Sequence, residues 1–251
     1  TSIHLFLGLL ILNKNKNTLE QLRIPVRDKR TFLGEDFELN DWESLKGLCE
    51  NLVDREIKSG EELKKWFKDR DELESYLSEN MAWRYIKMTC DTKSEEAQKN
   101  YQYFVTEIQP HLAVYDDKLN KKALDSPFLD ELTESGYDIT LRSMKKAVEI
   151  FREANIPIST QIQTKTTEYQ AATGAMSVTI DGEEMTLQKA GSFLTGLDRG
   201  KRKEAWIKTG QRRAQDTEKL DLLFNELKTL RQQVALNADF ENYRDYAFVS
   251  L

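Results

Sequence analysis

Histidine is nearly missing from this chain: His4 and His111 are the only two in 251 residues. Neither has a partner at metal-ligand spacing. The pair His-Glu-x-x-His, which sets two imidazoles on one helix face beside a general base, does not occur. Cysteine is as scarce. Cys49 and Cys90 form no Cys-x-x-Cys pair and read as small core fillers of a protein kept in a reducing, cytoplasmic compartment. Only four prolines are present, and Pro110, Pro127 and Pro157 fall where periodic segments break. The glycines at 191, 196 and 200 fit neither G-x-G-x-x-G nor the P-loop pattern, which removes the common nucleotide folds.

Long apolar runs are absent too. The longest, Ile3–Leu12, falls well short of the ~20 residues that cross a bilayer, so no membrane partner is expected. No basic residue precedes it and no small-residue cleavage site follows, so it reads as a buried helix or a foreign start rather than a leader. Neither sign of charge dominates: 37 Lys and Arg against 43 Asp and Glu give a net −6, which argues against nucleic acid as a general partner. The basic stretch Arg199–Arg213 reads as the solvated face of a helix.

What remains is a soluble, helix-rich composition, 32% charged and 39% hydrophobic. From about Arg30 the chain becomes a succession of amphipathic segments. Asp41 caps an expected helix Trp42–Ile57. Ser59 or Gly60 opens a short one through Lys68, and Asp71–Cys90 forms the next, with Leu73, Leu77, Met81, Trp83 and Ile86. Ser94 opens a helix towards Pro110. Thr140–Ala154 carries the stripe Leu141, Met144, Val148, Phe151. Asp216 or Thr217 caps a helix with the apolar face Leu220, Leu223, Phe224, Leu227, Leu230, Val234. No Gly, Asn or Pro closes the last helical pattern, so further structure is expected beyond it. One segment breaks the helical texture: Met176–Met185 with Asp181-Gly182 predicts a type I′ hairpin pairing Val178 with Met185 and Thr179 with Glu184. The fold class is therefore mainly α, multi-helical, with one small β-hairpin at about 176–185.

Motifs that could carry chemistry are few. Ser143–Lys146 matches S-x-x-K and Lys208–Gly210 matches K-T-G, but S-D-N is missing and the second lies in a helix-like stretch. The adjacent acids Glu61-Glu62, Asp116-Asp117 and Glu183-Glu184 do not face each other on a helix and read as solvated charge. His111 reads as a surface or capping residue. Tyr243, Arg244 and Tyr246 are the most ligand-like group, able to grip a carboxylate or to lock helix to helix.

Several long blocks resemble the oligoendopeptidase F family of thimet-oligopeptidase-like zinc peptidases. They are DWESLKGLCENLVDREI (Asp41–Ile57), LSENMAWRYIKMTCDT (Leu77–Thr92), SPFLDEL (Ser126–Leu132), FREANIPI (Phe151–Ile158), TGAMSVTIDGEEMTLQKAGSFL (Thr173–Leu194) and LRQQVALNADFENYRDYAF (Leu230–Phe248). Asp239 stands where that family usually has glycine, and Asp is among the residues that best tolerate a positive φ. The resemblance implies a large helical enzyme whose deep channel admits short unstructured peptides, with zinc activating water and polarising the scissile carbonyl. Segment 1–29 is atypical in composition and does not look like the family; from there the resemblance implies a helical layer 30–119, a module with the hairpin at 120–197, and the start of the catalytic domain at 198–251. No residue of this chain maps onto a catalytic or metal-ligand role. Zinc is expected only in a complete enzyme, and the chain alone is expected to be inactive. Substrate-binding residues are left unassigned. The other reading is a free-standing helical module that binds peptides or proteins.

Overall fold

The computed structural model describes residues 29–91, 94–134 and 136–250. The expectations for Ile3–Leu12, His4 and the rest of 1–28 lie outside them. Residues 38–250 form one unit, and 29–37 belong to a separate one.

Asp41 sets the first helix. Its carboxylate accepts from Ser44 N at 2.9 Å while Ser44 Oγ accepts from Asp41 N, a reciprocal capping box that starts α1 (Trp42–Asp54). Leu45, Cys49 and Leu52 recur at i, i+4, i+7 and are buried. Ser59 caps α2 (Gly60–Cys90), one 31-residue helix. The expected break after Lys68 is absent, because Lys68–Asp71 contains no Gly or Pro and its charges are used. Asp69 pairs with Arg55 at 2.5 Å, and Arg70 reaches Asn120 at 2.8 Å. Trp66, fully buried, donates its indole N–H to Leu52 O at 2.8 Å and so fixes α2 against the end of α1.

Ser94 caps α3 (Glu95–Tyr103), which runs through a π-helical segment, Phe104–Ile108, into α4 (Gln109–Leu124). Here Pro110 does not end the helix, as its sequence context suggested. It occupies the first turn of α4, where a missing N–H costs little, and Gln109 N bonds back to Phe104 O across the π turn. A short 3₁₀ turn, Leu129–Glu131, leads to α5 (Tyr137–Ile150). The stripe Leu141, Met144, Val148 is half-buried there. The helix stops before Phe151, whose backbone turns extended.

Next come α6 (Asn155–Gly174), the hairpin β1 (Ser177–Ile180) and β2 (Glu183–Thr186), α7 (Leu187–Gly191), a second 3₁₀ turn and α8 (Arg199–Ala214). The hairpin register pairs Val178 with Met185 and Thr179 with Glu184, as the sequence predicts. Asp181 (φ 53°) and Gly182 (φ 83°) supply the two positive φ values of the turn. Val178, Ile180 and Met185 close over Ala190 of α7 and Ala205 of α8, the apolar support a two-stranded ribbon needs.

The last helices are α9 (Thr217–Asn237) and α10 (Tyr243–Ser250). Leu223, Leu227 and Val234 are buried and α9 packs along α6, but Phe224 is 65% exposed, against expectation. A single polar helix covers only the centre of the apolar stripe, so its flank stays open. Among the described residues the fold is mainly helical with one small antiparallel sheet. No helix there is long and apolar enough to cross a membrane.

Candidate functional site

α6 is an unusual helix. Its sequence, NIPISTQIQTKTTEYQAATG, carries Thr, Gln and Ser on every side and no continuous apolar stripe. A helix polar all round gains little from a core and is placed instead by specific bonds. α9 supports one side. On the other, Gln102 Nε2 donates to Thr164 Oγ1 at 3.1 Å and Gln170 Nε2 donates to Tyr85 OH at 3.2 Å. Gln163 is bonded to Tyr101, whose ring lies 5.8 Å from that of Tyr85.

Gln102, Thr164 and Gln170 line a cleft of about 890 Å³. One wall is the C-terminal half of α6, from Thr164 to Gly174. The other combines the end of α2 and α3, at Met88 and Gln98–Gln102, with Leu187 and Gln188 of α7. Most of its polar groups are amides and hydroxyls. Glu168 pairs with Lys165 at 3.4 Å and Lys99 with Glu95 at 3.5 Å, which offsets two of the charges at its edge.

A second cavity, about 530 Å³, lies where α4, α5, α6, α9 and α10 meet. Tyr243 and Tyr246 line it with their rings 5.9 Å apart. Tyr246 meets Phe240 edge-on at 5.7 Å, and Arg231 lies 5.8 Å over Tyr243. Burial raises the Tyr246 phenol above its ordinary pKa, with Tyr243 adding to it. Arg244 does not join them: it is exposed and pairs with Asp245 at 2.9 Å. The ligand-like trio therefore separates into two seam tyrosines and a surface arginine. Asn155, missed from the sequence, holds the seam by donating to Val234 O at 3.0 Å and accepting from Asn237 Nδ2 at 2.7 Å.

Other candidates resolve into structure. His111 is exposed and stacks on Trp42 at 4.6 Å. Ser143–Lys146 and Lys208–Gly210 both lie within helices, so the serine-acylase match has no geometry behind it. In α8, Lys201 pairs with Asp181 at 2.6 Å, Lys208 with Glu204 at 2.6 Å, and Arg202 donates to Gly196 O at 2.7 Å. Asp117 corrects the view of adjacent acids as solvated: it is buried and pairs with Lys121 at 2.6 Å. Cys90 is exposed, not a core filler, because it ends α2 beyond the last buried residue, Met88. Asp239 does adopt a positive φ of 67° and pairs with Arg152 at 2.7 Å. Among the described residues no three His, Cys, Asp or Glu side chains are grouped to hold a metal ion.

Residues 32–151 match the family described as Peptidase M3 N-terminal domain. The fold of the chain is similar to that of Pz peptidase A determined with an inhibitor, at TM-score 0.78 and 21% identity, over 85% of this chain and 38% of that one. A provisionally assigned oligoendopeptidase F gives 0.79 and 21%, again over 85% and 38%. Another, from Bacillus anthracis str. Ames, gives 0.77 and 20% over 88% and 41%. At these identities the structural likeness is one of fold. The chain spans 38–41% of the length of these three structures. No curated protein matches it in sequence.

Proposed function

We propose that the chain is the N-terminal, channel-wall portion of a cytoplasmic zinc metallo-oligopeptidase that hydrolyses short unstructured peptides. The observation that carries this reading is the fold match over 85–88% of the chain, joined to the family match at 32–151. In this reading 30–119 is the first helical layer, 120–197 the module with the hairpin, and 198–251 the opening of the catalytic domain. Zinc and its ligands belong to the rest of the enzyme, and this chain contributes binding surface but no reacting group. The free thiols of Cys49 and Cys90 suit a reducing cytoplasm.

The alternative, a free-standing interaction module, is less well supported by the surface. Leu197, Trp206, Ile207, Leu222, Phe224, Leu236 and Phe248 are all exposed on the segment assigned to the catalytic domain. Such a density of apolar side chains suits a face covered by further protein. The test is chelator-sensitive cleavage of a quenched fluorescent peptide by the complete gene product, with none by the 251-residue chain. Chelator-insensitive cleavage, or cleavage by the chain alone, overturns the assignment.

A further inference from the structure

We propose that the α6 cleft binds an extended peptide segment through its main chain; the inference rests on the peptidase reading above. A peptide backbone offers N–H donors and C=O acceptors at regular intervals, so a site blind to side-chain sequence needs uncharged acceptors and donors in a row. Apart from Glu168, whose carboxylate pairs with Lys165, the C-terminal half of α6 has that form. Thr167 and Thr173 donate their hydroxyl protons to the helix's own carbonyls, to Gln163 O at 3.0 Å and Tyr169 O at 2.9 Å, which leaves their oxygens as acceptors. Gln170 donates to Tyr85, which leaves its amide oxygen.

Across the cleft the amides of Gln102 and Gln188 add donors. Half-buried Leu187 provides apolar surface for a neutral side chain, while Met88 and Met176 in the same lining are buried. The wall also has the right length. From Thr164 to Gly174 the axis rises about 15 Å, which matches about four to five residues of extended chain at about 3.3 Å each. Ala171 and Gly174 project little from that wall, so a second backbone can approach closely.

A capped pentapeptide of Ala and Gly with a central benzoylphenylalanine tests this on the full chain. Irradiation is expected to place adducts on Ala171, Leu187 or Gln188, the open lining residues within reach of the excited ketone. Replacing the probe's central amides by esters removes its N–H donors without changing its shape, and is expected to lower the adduct yield about tenfold, the worth of one or two hydrogen bonds. Thr167→Val with Gln170→Leu is expected to do the same to the amide probe. Because the ester probe needs no mutation, a misfolded variant does not shelter the proposal. Adducts elsewhere, or equal yields from the two probes, overturn it. If the complete gene product cleaves peptides and these adducts are absent, this inference fails while the peptidase reading stands. Adducts in the cleft without any cleavage support the site and overturn that reading.

Discussion

Glu131 closes the N-terminus of α2 from 71 residues away, its Oε2 accepting from Gly60 N at 3.1 Å. The carboxylate sits where the helix dipole is positive and where N–H groups lack intrahelical partners. The approach is possible because residue 60 has no side chain. A Cβ there would lie 2.2 Å from Glu131 Oε2 and 2.6 Å from Glu131 Cβ. Alanine in a helix ordinarily gains up to about 1 kcal/mol over glycine, so Gly60→Ala has a diagnostic sign. It is expected to destabilise the chain by about 1–3 kcal/mol, the usual cost of overpacking. Glu131→Gln keeps the shape and loses the charge, and is expected to cost about 0.3–1 kcal/mol. Urea unfolding followed by circular dichroism reads both. A Gly60→Ala protein as stable as the parent would refute the contact.

Asp239 orders a substitution series by backbone strain. Its φ of 67° is a conformation that glycine adopts freely and β-branched residues resist. The Arg152 ion pair, with Asp239 84% exposed, offsets little of that strain. Asp239→Gly should therefore leave the chain as stable as the parent within about 0.5 kcal/mol, while Asp239→Val should cost about 1–2 kcal/mol. Thermal melts would contradict this account if valine were tolerated as well as glycine.

The two cysteines differ in kind. Cys49 is 1% exposed, and burial, reinforced by Asp116 and Glu50, pushes its thiol up to about 12. Cys90 is exposed. A disulfide reagent at pH 8 should titrate one thiol in the native chain and two after denaturation, because the thiolate is the reactive form and Cys49 holds its proton. Cys90→Ser should abolish the native reaction. Two fast thiols in the folded chain would contradict the burial of Cys49.

What the sequence made legible was local. Asp41 with Ser44, the Asp181-Gly182 turn and the register of Val178 with Met185 each depend on residues within a few positions of one another. The break expected after Lys68 was misread because Asp69 and Arg70 look like linker charge until Arg55 and Asn120 are brought to them by packing. Pro110 was misread because a π turn has no sequence signature of its own. The cleft was illegible for the same reason as its wall. α6 has no apolar period to announce a face, and its Thr and Gln gain meaning only once Gln102 and Tyr85 stand opposite.

Exposed apolar side chains on α8, α9 and α10 make the last prediction. Trp206 is 71%, Phe224 65% and Phe248 72% exposed, so none contributes much burial to this chain. Replacing them by Ser, Glu and Gln removes apolar surface from contact with water while leaving the buried set Leu223, Leu227 and Val234 untouched. The triple variant should be markedly more soluble and bind less of a hydrophobic dye. Its unfolding free energy should stay within about 0.5 kcal/mol per substitution, as for ordinary surface changes. In a complete enzyme the same substitutions would fall inside the face proposed to be covered, and should lower stability instead. A triple variant that destabilises the isolated chain as much as the complete protein would mean that these side chains pack within 198–250 and meet no further domain.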